Sequence, residues 1–94
     1  MLHLVMMFIL KTNLNVFPNP SHLNTQIKYY TPLAGPATLL VTDITGKIIV
    51  SNTETCKANY NNNFALDVQA LSAGFYTLQI LQQGSVASTK LIVE

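Results

Sequence analysis

The sequence predicts an all-β protein, a two-sheet sandwich of seven short antiparallel strands, and three observations carry that reading. Hydrophobic residues make up 49% and charged residues 10% of the 94, against a typical charged share of about 25%, so the chain has apolar surface to bury and is no disordered segment. Its apolar residues recur with period two in short runs, and no window supports a helix of ordinary length. Pro, Gly, Asn and Ser interrupt those runs at intervals of about ten residues, as sandwiches and barrels require. The length fits one domain, because compact domains centre on ~100–150 residues.

Residues 1–10 are almost wholly apolar, yet as a helix they reach only ~15 Å, half the hydrocarbon thickness of a bilayer. A signal peptide needs a basic n-region and a small-residue cleavage site, whereas His3 lies inside this segment and Lys11, Thr12 and Asn13 follow it. The segment reads instead as an extra strand, or as the remnant of a cargo or linker behind a false start at Met1, Met6 or Met7. Residues 1–13 are therefore set apart as a leader and residues 14–94 as the domain.

Within the domain, strands are expected near residues 14–17, 25–30, 37–43, 47–51, 63–68, 75–81 and 87–93. Alternation turns Leu39 and Val41, then Phe64, Leu66 and Val68, then Tyr76, Leu78 and Ile80 toward an inner face. Leu39, Val41, Leu66, Leu71, Tyr76, Leu78 and Ile80 form the expected core. Asp43-Ile44-Thr45-Gly46 places Asp first and Gly fourth in a type I turn, where the carboxylate accepts backbone N–H bonds and Gly takes positive φ. A hairpin should follow. Residues 59–63, with four Asn around Tyr60, read as a surface loop. Gly74 stands two residues before Tyr76 at the start of a strand, the spacing of the corner in Greek-key sandwiches where a tyrosine hydroxyl bonds back to the upstream backbone. That makes the expected sandwich immunoglobulin-like.

The search for chemistry returns little. All five basic residues are lysines, spread along the chain, and four acids leave a net charge of +1, which is no footprint for nucleic acid or an anionic membrane. Nucleophilic catalysis needs a base beside Ser, Cys or Thr. His3 and His22 are the only histidines, and His22 reads as an exposed turn residue. Cys56 is alone, so it forms no internal disulfide or thiolate cluster. Lys57 beside it favours a thiolate, but a small apolar or semi-exposed bystander fits better. Of the carboxylates, Asp43 belongs to its turn and Glu94 is the last residue, which leaves Glu54 and Asp67 without the pairing that glycoside hydrolysis uses. The Asn run with Asp67 lacks an EF-hand spacing, and the four glycines stand singly. Tyr29 and Tyr30 point to opposite faces of one strand, so they build no joint sugar-stacking surface. No enzyme activity, metal or cofactor is expected.

Four motifs remain. Val16-Phe17-Pro18-Asn19-Pro20 opens the strand region, Asp43-Ile44-Thr45-Gly46-Lys47 follows the third strand, Leu71-Ser72-Ala73-Gly74-Phe75-Tyr76 precedes the sixth, and Thr89-Lys90-Leu91-Ile92-Val93-Glu94 finishes the chain. In this order and at these distances the set resembles the C-terminal sorting domain of type IX secretion cargo, the Por secretion tail, over residues 14–94. Each motif also has a physical reading. Pro18 and Pro20 remove two donors and stop the first strand, and Lys90 on an edge strand opposes unwanted pairing.

The resemblance implies that Pro18, Asn19, Pro20, Asp43, Gly46, Leu71, Gly74, Tyr76, Lys90, Leu91 and Val93 are sorting-motif residues. It further implies an outer-membrane translocon that reads the folded tail and a sortase-like surface peptidase that removes it, with the cargo passing through the periplasm to the cell surface or the exterior. The departure from the pattern is the missing cargo, for which a gene fragment is the simplest explanation. A small immunoglobulin-like or fibronectin-like module binding carbohydrate or a cell surface is the alternative; it would gather aromatic residues on one exposed face. A hydrolase is the third and weakest reading.

Overall fold

A computed structural model describes residues 12–21 and 23–94. Residues 1–11 of the leader expected as an extra strand or remnant, His3 among them, and His22 lie outside the described residues, whereas Asn13 of that leader already pairs with Tyr30. Seven strands follow in order: β1 (Asn13–Phe17), β2 (Asn24–Thr31), β3 (Gly35–Thr42), β4 (Ile48–Cys56), β5 (Tyr60–Asp67), β6 (Gly74–Gln82) and β7 (Ser85–Val93). They form a three-stranded sheet in the order β1-β2-β5 and a four-stranded sheet in the order β4-β3-β6-β7. All strand pairings are antiparallel, and among the described residues there is no helix. The chain changes sheet between β2 and β3, β4 and β5, and β5 and β6, which is the Greek-key connectivity of an immunoglobulin-like sandwich.

Alternation decides which residues meet between the sheets. β2 buries Ile27 and Tyr29, and β5 buries Phe64 and Leu66. Facing them are Ala37, Leu39 and Val41 of β3, Tyr76, Leu78 and Ile80 of β6, and Leu91 and Val93 of β7. Each large side chain of this set contributes about 1.5–3 kcal/mol through burial. The expected core is found except at Leu71, which is only partly buried and packs against the cluster from the β5–β6 connection; there its amide donates to Val68 O at 3.0 Å.

One polar group crosses the core. The Gln82 amide accepts from the hydroxyls of Tyr29 at 3.0 Å and Thr31 at 2.7 Å, and donates to Leu33 O at 3.0 Å and Gly35 O at 3.3 Å. All its hydrogen-bonding capacity is used, so the two sheets are pinned to each other at this end.

The sequence-based boundaries shift by more than two residues in two places. β4 runs five residues past its expected end, and its extra residues Asn52–Thr55 are exposed on both faces, because the three-stranded sheet leaves this edge uncovered and no alternation is imposed. The segment 59–63 is not a loop. β5 begins at Tyr60, and Asn61, Asn62 and Asn63 pair with Tyr30, Tyr29 and Lys28. The left-handed residue of the connection is Asn59, at φ 54°. Asn62 folds its amide back, accepting from Lys57 N at 2.9 Å and donating to Lys57 O at 3.0 Å, so asparagine here closes the turn while remaining in the ladder.

Candidate functional site: one pole of the sandwich

The antiparallel registers bring the ends of the strands that carry the motifs to one pole. There lie the end of β1, the β3–β4 turn, the β5–β6 connection, the start of β6 and the end of β7, with Gly74 opposite Val93, Tyr76 opposite Leu91, and Thr77 opposite both Lys90 and Thr42. Every sorting-motif residue expected from the sequence is at this pole.

The β3–β4 turn forms as expected. Gly46, at φ 86°, donates its amide to Asp43 O at 3.0 Å. One carboxylate oxygen of Asp43 accepts from Thr45 Oγ1 at 2.6 Å, Thr45 N at 2.9 Å and Lys47 N at 3.0 Å. These donors, the Thr45 hydroxyl foremost, hold the Asp43 carboxyl below the usual carboxylate range. The tyrosine corner is also present, with Tyr76 OH donating to Ser72 O at 2.6 Å.

Across the pole, the segment after β1 sits on the open edge of β7. Asn19, between Pro18 and Pro20, donates from Nδ2 to Lys90 O at 2.9 Å and accepts from Ile92 N at 2.9 Å. Ser21 continues the contact as a short parallel bridge to Val93: its amide donates to Ile92 O at 2.8 Å, and Glu94 N donates to Ser21 O at 2.8 Å. The Ser21 hydroxyl turns back to Pro18 O, which the Thr25 hydroxyl also reaches at 3.1 Å. The first and last motifs are therefore one hydrogen-bonded unit, although 71 residues separate Asn19 from Lys90.

On the outer face of the four-stranded sheet the same pole carries a groove of about 280 Å³ lined by Ile44, Phe75, Tyr76, Thr77, Ser88, Thr89 and Lys90. A depression of about 220 Å³ adjoins it and shares Ile44, Phe75 and Tyr76. Ile44 is 84% exposed and Phe75 57% exposed. The Lys90 ammonium lies 5.6 Å from the centre of the Phe75 ring, within cation–π range. Sequence reasoning missed Ile44 and Phe75. Their signals were an isoleucine at the tip of an otherwise polar turn and a phenylalanine out of phase with inward Tyr76. Leu91 and Val93 point into the core, so they can shape this surface but not touch a partner.

This surface is suited to binding. The Asp43 carboxylate is occupied by its turn, and among the described residues no cluster of His, Cys, Asp or Glu could hold a metal ion. Cys56 is buried at the opposite pole, and burial, with Glu54 adding to it, raises its pKa. Cys56 is thus the small apolar bystander of the two forms expected, and Lys57 does not activate it. The exposed aromatics Phe17, Tyr60 and Phe75 sit on β1, at the far pole and on the groove, and form no common platform for sugar.

The fold defines a small all-β domain, an immunoglobulin-like sandwich of seven antiparallel strands. Residues 15–94 match the family described as the secretion system C-terminal sorting domain, and the chain belongs to that family. It is a C-terminal sorting signal for type IX secretion, which marks the protein that carries it for the cell surface or the exterior. Among solved structures it is similar to dimeric latent PorU from Porphyromonas gingivalis, with a TM-score of 0.68 and 16% sequence identity over 87% of this chain. The chain spans 9% of the length of that protein, and at this identity the likeness concerns the fold. No curated protein matches the chain.

Proposed function

We propose that the tail is read at the pole where its four motifs converge, by the outer-membrane translocon and a sortase-like surface peptidase, and that it has no catalysis of its own. The convergence itself carries this reading. Motifs scattered over the sequence meet around an exposed apolar groove with a single cation on its wall. Exposed apolar side chains gathered next to polar ones mark interaction surfaces. Pro18, Asn19, Pro20, Asp43, Gly46, Leu71 and Gly74 shape the loops of this pole, Tyr76, Leu91 and Val93 hold its strands from inside, and Lys90 faces the partner.

The test fuses the full chain behind an exported reporter in a host that has type IX secretion. Reporter on the surface or in the medium with the chain, and retained without it, supports the reading. Equal retention of both contradicts it.

A further inference from the structure

We propose that Asn19 is a positioning residue for this recognition pole: it clamps the end of β7 so that Lys90 and the Phe75 groove are presented in one fixed arrangement. The inference rests on the proposal that the pole is what the secretion machinery reads. An open edge strand offers a row of unpaired amides and carbonyls, and four such groups at the end of β7 and just past it are bonded here: Lys90 O, Ile92 N, Ile92 O and Glu94 N. Two of the four are taken by the Asn19 side chain and two by the Ser21 backbone. An asparagine amide carries a donor and an acceptor side by side, so it can take the place of a neighbouring strand's peptide group. No other side chain of similar size except glutamine has that pair. Its prolines contribute no N–H that could compete for the same carbonyls.

The clamp acts on the groove through a short path. Asn19 holds the carbonyl of Lys90, and the Lys90 side chain forms the groove wall over the Phe75 ring. β7 is an edge strand, supported on one side by β6 alone. Without the clamp its end is free to fray, and local opening of this kind shifts the wall without unfolding the core.

The experiment uses the full chain fused to the exported reporter. Asn19→Ala should raise the exchange rates of the Ile92 and Glu94 amides by about tenfold while leaving those of Leu39 and Leu78 unchanged, because only the edge opens. Surface display should fall about as far, and Asn19→Gln, which keeps the donor and acceptor, should recover part of it. A disulfide between Ser21→Cys and Val93→Cys, whose backbones already pair at the ~4.8 Å spacing of hydrogen-bonded strands, should restore display in the Asn19→Ala chain. Phe75→Ser separates this idea from the reading beneath it. If Asn19→Ala displays normally while Phe75→Ser does not, the positioning role is refuted and the pole reading stands. If both display normally, the pole reading fails and takes the positioning role with it. If the disulfide forms but display stays low, Asn19 is contacted directly and the positioning role is again refuted.

Discussion

At Asp43 a single carboxylate oxygen gathers three donors, and this ties the β3–β4 turn to pH. Because the folded state depresses this pKa, folding favours the ionised form: its contribution is full above the unfolded-state value and is lost as pH falls through the folded one. Melting temperatures followed downward in pH should therefore drop for the native chain below about pH 4, and less for Asp43→Asn, which starts lower at neutral pH. Tyr76→Phe removes only the corner hydrogen bond to Ser72 O and should cost about 1 kcal/mol in urea titrations. Gln82→Leu is expected to cost more, about 2 kcal/mol or above, since it strands two hydroxyls and two carbonyls in the interior. Equal midpoints for native and Gln82→Leu chains would show that water reaches these groups after all.

At the scale of elements, β6 is the best protected strand and β4 the least. β6 lies between β3 and β7 and buries Tyr76, Leu78, Ile80 and Gln82, so Leu78→Ala should cost about 2–5 kcal/mol. β4 is an edge strand whose middle is exposed on both faces, and its amides should exchange well before those of β6. The same contrast explains what the sequence disclosed. Leu39–Val41 and Tyr76–Ile80 alternate because an opposing sheet demands it, and the turn at Asp43 and the corner at Tyr76 are local chemistry that reads directly from spacing. β4 was cut short because strand pairing holds Asn52–Thr55 without any inner face. The Asn run of β5 was misread because asparagine's preference for turns gave way to the ladder with β2 and to the fold-back of Asn62. The clamp of Asn19 on β7 was hidden for a different reason: it joins residues from the two ends of the domain, and no local pattern announces such a pairing.

For the whole molecule, the central claim is that export depends on one pole of a folded tail, and fold and surface can be separated there. Lys90→Ala changes an exposed side chain and should move stability by no more than about 0.5 kcal/mol, whereas Leu91→Asp buries an unpaired charge and should unfold the domain. Loss of display with Leu91→Asp would say only that the tail must fold. The most direct measurement compares display of a fused reporter between Phe75→Ser, in the groove, and Tyr60→Ser, an equally exposed aromatic at the far pole, with melting temperatures taken on both chains. The account predicts that both melt like the native chain, that Phe75→Ser loses surface display and that Tyr60→Ser keeps it. Display that is unaffected by Phe75→Ser, or that falls equally in the two variants, would contradict it.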